Sequence, residues 1–197
     1  MGCDIHLYLE YTNKEILDSE KNADLIDGYK PIKSYWYDFG GGFSLGRNYR
    51  MFGILSKGVR SEFEDGFEPK GIPDFDNLGY AARNDYSLYI SEKEDTEFKY
   101  CTMEQAIKWC ASDFCNSKLY YRNPTDDKPT WVSNPDWHSA SWLTIDEYEK
   151  AIQIYEKMLE ESYMAKYIPA EYEAILAAMK SLEKNGNVTR VVFWFDN

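Results

Sequence analysis

Two histidines occur in the chain, and each follows an aspartate by two positions: Asp4 with His6 near the start, Asp136 with His138 far downstream. An aspartate at that spacing can orient the imidazole, raise its basicity or share a cation with it. Asp4, His6, Asp136 and His138 are therefore both the candidate catalytic set of an enzyme and the candidate ligand set for one divalent metal. Imidazole with carboxylate suits Zn, Mn or Fe, while the two imidazoles alone would equally serve metal-free acid–base catalysis. A binuclear phosphodiesterase centre would need further carboxylates from elsewhere. The repeated pattern predicts one composite site assembled from distant parts of the chain. Whether it holds a metal, a phosphate-bearing ligand or a substrate is open at this level.

A second candidate lies at residues 39–48, which read Phe-Gly-Gly-Gly-Phe-Ser-Leu-Gly-Arg-Asn. A strand, a glycine-rich turn and a helix start would expose backbone N–H groups to an anion. Arg47, Asn48 and Arg50 stand at the predicted helix start, and Arg60 lies just beyond its end. The Gly-Lys-Ser/Thr ending of a nucleoside-triphosphate loop is missing, and three glycines read equally as a flexible turn. Tyr8, Ser139, Ser141, Trp142 and Asp196 complete the candidate ligand-binding set with hydroxyls, a stacking face and a carboxylate. Ser139 beside His138 is not a triad, since relay geometry usually joins separate segments, and no G-x-S-x-G turn is present.

These groups need elements to position them. Residues 3–11 alternate, with Cys3, Ile5, Leu7, Leu9 and Tyr11 on a core face and Asp4, His6, Tyr8 and Glu10 on the other. That second face predicts a half-solvated strand with an unusually ionisable row. Residues 189–195 are apolar on both faces and predict a central strand, adjacent to the first in one sheet. Further strands are expected over 29–37 and 86–90. Helices are expected over 49–57, from a capping box at Thr102, from a second at Thr144 with Glu147, and from Pro169 to the stop at Asn185-Gly186. Residues 62–84 and 123–135 read as long loops, the second delivering Asp136 and His138. The expectation is an α+β single domain over 1–197, with a central mixed or antiparallel sheet packed by three to four helices.

Bulk properties narrow the partners. The 197 residues carry a formal net charge of −12, so duplex nucleic acid and membrane surfaces, which need a basic footprint, are not expected. A local basic pocket for a small anion remains compatible. Seventeen tyrosines could pack or stack a base. Four cysteines without a CxxC spacing suggest neither a zinc ribbon nor a disulfide framework, which favours a reducing cytoplasm. Met1-Gly2-Cys3 does not make a lipidation signal, because His6 stands where Ser or Thr is required. No heptad marks a dimer, so a homo-oligomer with its pocket between subunits stays open.

Several of these motifs together resemble a family of uncharacterised phage and prophage proteins. They are the opening Met1-Gly2-Cys3-Asp4-Ile5-His6, the segment Gly46-Arg47-Asn48-Tyr49 with Phe52 and Gly58-Val59-Arg60, the run Asp136-x-His138-Ser139-x-Ser141-Trp142-Leu143-Thr144, and the ending Phe193-Trp194-Phe195-Asp196-Asn197. The resemblance spans the whole chain. Many relatives carry a histidine where this chain has Ala140, which argues against a role needing three imidazoles. The resemblance brings no activity with it, but it implies the cytoplasm of an infected bacterial host. By analogy, small phage proteins with ligand pockets often sequester or cleave nucleotide immune signals. The leading expectation is a protein that binds a small phosphate-bearing, nucleotide-type molecule in a pocket lined by the two Asp-x-His motifs. The alternatives are a phosphodiesterase acting on such a molecule and a structural or protein-binding accessory protein.

Overall fold

The computed structural model describes residues 2–21, 35–74, 77–86, 89–91, 100–101, 119–122, 129–133, 137–160 and 168–196. The fold is α+β. Strand β1 (Asp4–Asn13) lies antiparallel to the last strand, β8 (Asn187–Asp196), in unbroken register from Asp4 opposite Asp196 to Asn13 opposite Asn187. The expected adjacency of the first and last strands is thus present. Strand β2 (Tyr37–Asp38) borders β1 and β7 (His138–Thr144) borders β8, giving the antiparallel order β2-β1-β8-β7.

The sheet is covered on both faces. Cys3, Ile5, Leu7 and Leu9 join Val191, Phe193 and Phe195 in the larger core. Over them pack α2 (Tyr49–Leu55), α4 (Ile145–Glu160) and α5 (Ala170–Lys184), contributing Met51, Phe52, Tyr148, Tyr155, Tyr172 and Met179 among others. Burying each large apolar side chain contributes roughly 1.5–3 kcal/mol. The opposite face gathers Tyr8, Val192 and Trp194 against Leu78 and Ala82. The half-solvated row expected on β1 is therefore corrected: Tyr8 and Glu10 are buried. Ala82 belongs to α3 (Tyr80–Tyr86), whose first-turn donors Ala81 N and Ala82 N are met by the Asp38 carboxylate at 2.8 and 3.5 Å.

With that long-range cap a helix occupies the end of the predicted 62–84 loop and takes in Tyr86, the start of the predicted 86–90 strand, while Tyr89 and Ile90 are strand. Strand β3 (Tyr89–Ser91) belongs to a second sheet with β4 (Tyr100–Cys101), β5 (Leu119–Arg122) and β6 (Pro129–Ser133), in the order β3-β6-β5-β4 with β4 and β5 parallel. Strand β6 corrects the predicted 123–135 loop, since Thr130, Trp131 and Val132 are strong strand formers. The helix expected from Thr102 lies outside the described residues, as does the predicted strand before Tyr35. The capping box closes as expected, with Thr144 N donating to Glu147 and Glu147 N to the Thr144 hydroxyl. A further short helix, α1 (Lys14–Lys21), follows β1.

Within the ladder, Glu10 and Arg190 are direct partners and both are buried. Arg190 donates to Glu10 at 2.8 Å from Nε, stacks over Trp36 at 3.7 Å and donates to the Asn77 carbonyl at 2.6 Å. The other Glu10 oxygen accepts from Gly79 N at 2.8 Å. Burial raises the Glu10 pKa and lowers that of Arg190 despite their attraction, so desolvation outweighs the pairing. Removing one partner strands the other charge. Arg190→Met should lower the unfolding free energy by about 3–5 kcal/mol. Urea denaturation of both single variants and the pair with Glu10→Gln should show a double loss well below the sum.

Candidate functional site at one end of the central sheet

The end of the sheet where β1 begins and β8 finishes collects most of the candidate groups. The Asp4 backbone N–H donates to Asp196 Oδ1 at 3.0 Å, and Asp196 Oδ2 meets His6 Nε2 at 3.0 Å. The His6 ring lies nearly parallel to Trp194, with centroids 5.7 Å apart, and tilts against Trp137 at 6.0 Å. Arg47 reaches Asp4 with two parallel hydrogen bonds, 2.6 Å from Nε and 2.9 Å from Nη2. This fork holds the Asp4 carboxyl below its ordinary range. Gly2 permits the approach, because a Cβ there would overlap the Arg47 guanidinium.

His138 lies on the other face of the sheet. Its ring stacks on Phe195 with centroids 5.9 Å apart, and its Nε2 is 4.0 Å from Cys3 Sγ, while Nδ1 meets Ser139 Oγ at 3.1 Å. Trp194 and Phe195 are consecutive on one strand and so point to opposite faces. The two histidines are therefore divided by the sheet, and the expected convergence of His6 with His138 does not occur. Among the described residues no three His, Cys, Asp or Glu side chains gather closely enough to ligate a metal; Asp136 lies outside them.

The remaining predicted residues divide by role. Tyr8 stacks on Trp194 at 5.2 Å and its hydroxyl donates to Asp85. Ser141 accepts from Lys70 N at 3.1 Å, and Trp142 lies 4.1 Å beneath the Lys70 ammonium, so both anchor that loop rather than a ligand. The glycine turn does not form an anion cradle. Gly42 packs against the Tyr8 ring, Phe43 bridges to Leu7, and the α2 N-terminus is already capped by Asn48, whose Oδ1 accepts from Met51 N at 3.2 Å. Asn48 also donates to the Tyr155 hydroxyl at 3.1 Å.

What the arginines do line is an open concavity of about 580 Å³, bounded by Leu45, Arg47, Asn48, Tyr49, Arg50, Tyr155 and Pro169. Arg50 is exposed there and forms no ion pair with a described residue. Arg60 stands over the Tyr49 ring at 6.0 Å and beside the Cys3 thiol, whose pKa burial pushes up more strongly than Arg60 lowers it. Sequence reasoning missed Tyr49 and Tyr155, the latter concealed in the apolar stripe of α4. It also missed Cys3, which alternation assigns to the core. No family model, curated protein or solved structure matches the chain.

Among the described residues, two that are not glycine adopt the left-handed region, Arg60 at φ 58° and Ser139 at φ 51°. Ser139 sits at the register shift of β7 between His138 and Ser141, a bulge position that glycine would fill without a Cβ penalty. Ser139→Gly should raise the unfolding free energy by up to about 1 kcal/mol and Ser139→Val should lower it by more than that. Thermal melts of the two variants check the sign; equal melting temperatures would mean that the bulge carries no strain.

Proposed function

We propose that the chain binds a small phosphate-bearing, nucleotide-type molecule in the concavity between the start of α2 and α4. The observation that carries this reading is the lining: Arg47, Arg50, Asn48, Tyr49 and Tyr155 bound one cavity of about 580 Å³. Guanidinium recognises phosphate by charge-assisted hydrogen bonds, and the exposed Tyr49 phenol offers a base a flat face with a polar tip, while buried Tyr155 holds Asn48 in place. The volume falls within the range of roughly 300–1,000 Å³ typical of small-molecule sites. Of the Asp-x-His residues described, Asp4, His6 and His138 do not bound it, and Asp4 is joined to its wall through Arg47. In the phage setting that the sequence resemblance implies, such binding would sequester a nucleotide signal in the host cytoplasm.

A second reading is hydrolysis of such a molecule, and the His6–Asp196 contact favours it. A half-exposed imidazole oriented by a carboxylate is the arrangement of a general base. His6 is not among the residues that bound the concavity, so a substrate held there would have to reach past the Asp4–Arg47 pair. Recovery of intact ligand after denaturation separates binder from enzyme.

Arg50→Ala removes a charge-assisted hydrogen bond with little effect on the fold, because the side chain is exposed. It should weaken a bound nucleotide by about one to two decades, equivalent to roughly 1.5–3 kcal/mol, at an unchanged melting temperature. Calorimetric titration with parallel melts tests it. Unchanged affinity for every nucleotide that binds would remove the concavity from consideration.

A further inference from the structure

We infer that Asp4 is a built-in counter-ion that sets the charge the concavity accepts, selecting ligands whose phosphate carries a single negative charge. This deepens the proposed function and rests on it. Two arginines line the cavity, but they are not equivalent. Asp4 takes the Nε and Nη2 donors of Arg47 in a two-pronged contact, and the remaining Nη1 is packed on Gly2. Such forks are strong and geometrically saturated. The Asp4 backbone is itself pinned by the Asp196 carboxylate, so the latch does not depend on a loose strand end. Arg50 makes no such contact with a described residue. The two arginines of the wall, with Asp4 fixed on one of them, therefore sum to two positive charges and one negative.

A phosphodiester, including a 3′,5′-cyclic nucleotide, carries one charge and matches Arg50 alone. A terminal phosphate monoester is close to a dianion above pH 7, because its second proton is lost near pH 6. Its second charge would either face the Asp4 carboxylate or have to displace it from Arg47. Like charges brought together oppose binding, and displacement forfeits a fork already made. The same latch predicts how preference changes. An uncharged amide at position 4 keeps the shape and one acceptor oxygen, and it frees the charge of Arg47 for the ligand.

The test is calorimetric titration at pH 8 with two matched series, the 3′,5′-cyclic monophosphates and the 5′-monophosphates of adenosine, guanosine, cytidine and uridine. Each base then serves as its own control for phosphate charge. Wild-type protein should bind the best cyclic nucleotide at least about tenfold more tightly than the matching 5′-monophosphate. Asp4→Asn should erase that preference, chiefly by tightening the 5′-monophosphate about tenfold. The Asp4 side chain is half-exposed and its backbone hydrogen bond survives substitution, so the melting temperature of the variant should stay near that of wild type. If a nucleotide binds and Arg50→Ala weakens it, yet wild type shows no preference for the cyclic form or Asp4→Asn leaves the preference intact, the counter-ion inference is overturned and the binding site stands. If no member of either series binds wild type or Asp4→Asn, the nucleotide reading falls as well.

Discussion

The buried pair of Glu10 and Arg190 fixes the register on which the rest of the structure depends. The two residues face each other across β1 and β8, and no other register would pair them in a dry interior. A one-residue slip would carry every side chain of β1 to the wrong face. Apolar burial alone specifies this weakly here, since β8 is apolar on both faces and would tolerate either alignment. The ion pair supplies the missing discrimination at a cost in desolvation. It also collects Gly79, Asn77 and Trp36, and with them the segment that leads into α3 and roofs the second face.

Register in turn decides the chemistry at the far end of the same ladder. With Glu10 opposite Arg190, Asp4 falls opposite Asp196 and His6 opposite Trp194. That parity puts His6, Asp4 and Asp196 on one face, while β7, entering through its bulge, places His138 against Phe195 on the other. Two acid–base environments result, separated by one layer of backbone. The His6 side is half-exposed and carboxylate-rich. The His138 side is a thiol–imidazole contact against a hydrophobic wall, where the raised pKa of Cys3 keeps the thiol protonated and unreactive.

Much of the central sheet was legible because its signals are local. Alternation identified the inward face of β1, unbroken hydrophobicity identified β8 as central, and capping residues placed the starts of α4 and α5. The features that were not legible rest on contacts between distant residues. Asp38 caps α3 from over forty residues away, and nothing near Tyr80 announces it. The row Asp4, His6, Tyr8 and Glu10 resembled a wet face because its partners, Arg47, Asp196, Asp85 and Arg190, come from elsewhere in the chain. The likeness between the two Asp-x-His units misled for the same reason. Spacing within a strand shows that two residues share a face, but not which face of a common sheet a second strand will present. The arginines were identified as anion-binding candidates, yet the cap by Asn48 and the fork to Asp4 had to be seen before their unequal roles emerged.

An acidic chain that binds an anion must solve a problem of range. At a net charge of −12, the protein repels an approaching phosphate at distances beyond the site itself. In about 0.15 M salt the Debye length is near 8 Å, so this repulsion is mostly screened outside the mouth of the concavity. Inside it, contact with guanidinium takes over at hydrogen-bond distance, where screening is weak. Selectivity then falls to the few charges within reach, and adding a carboxylate beside an arginine sharpens it more than adding another arginine would. A cavity with two unopposed guanidiniums would attract any phosphate. One with Asp4 fixed on Arg47 would, on the proposed reading, reject the more highly charged members of the class, with groups whose geometry is already set by the end of the β1–β8 ladder.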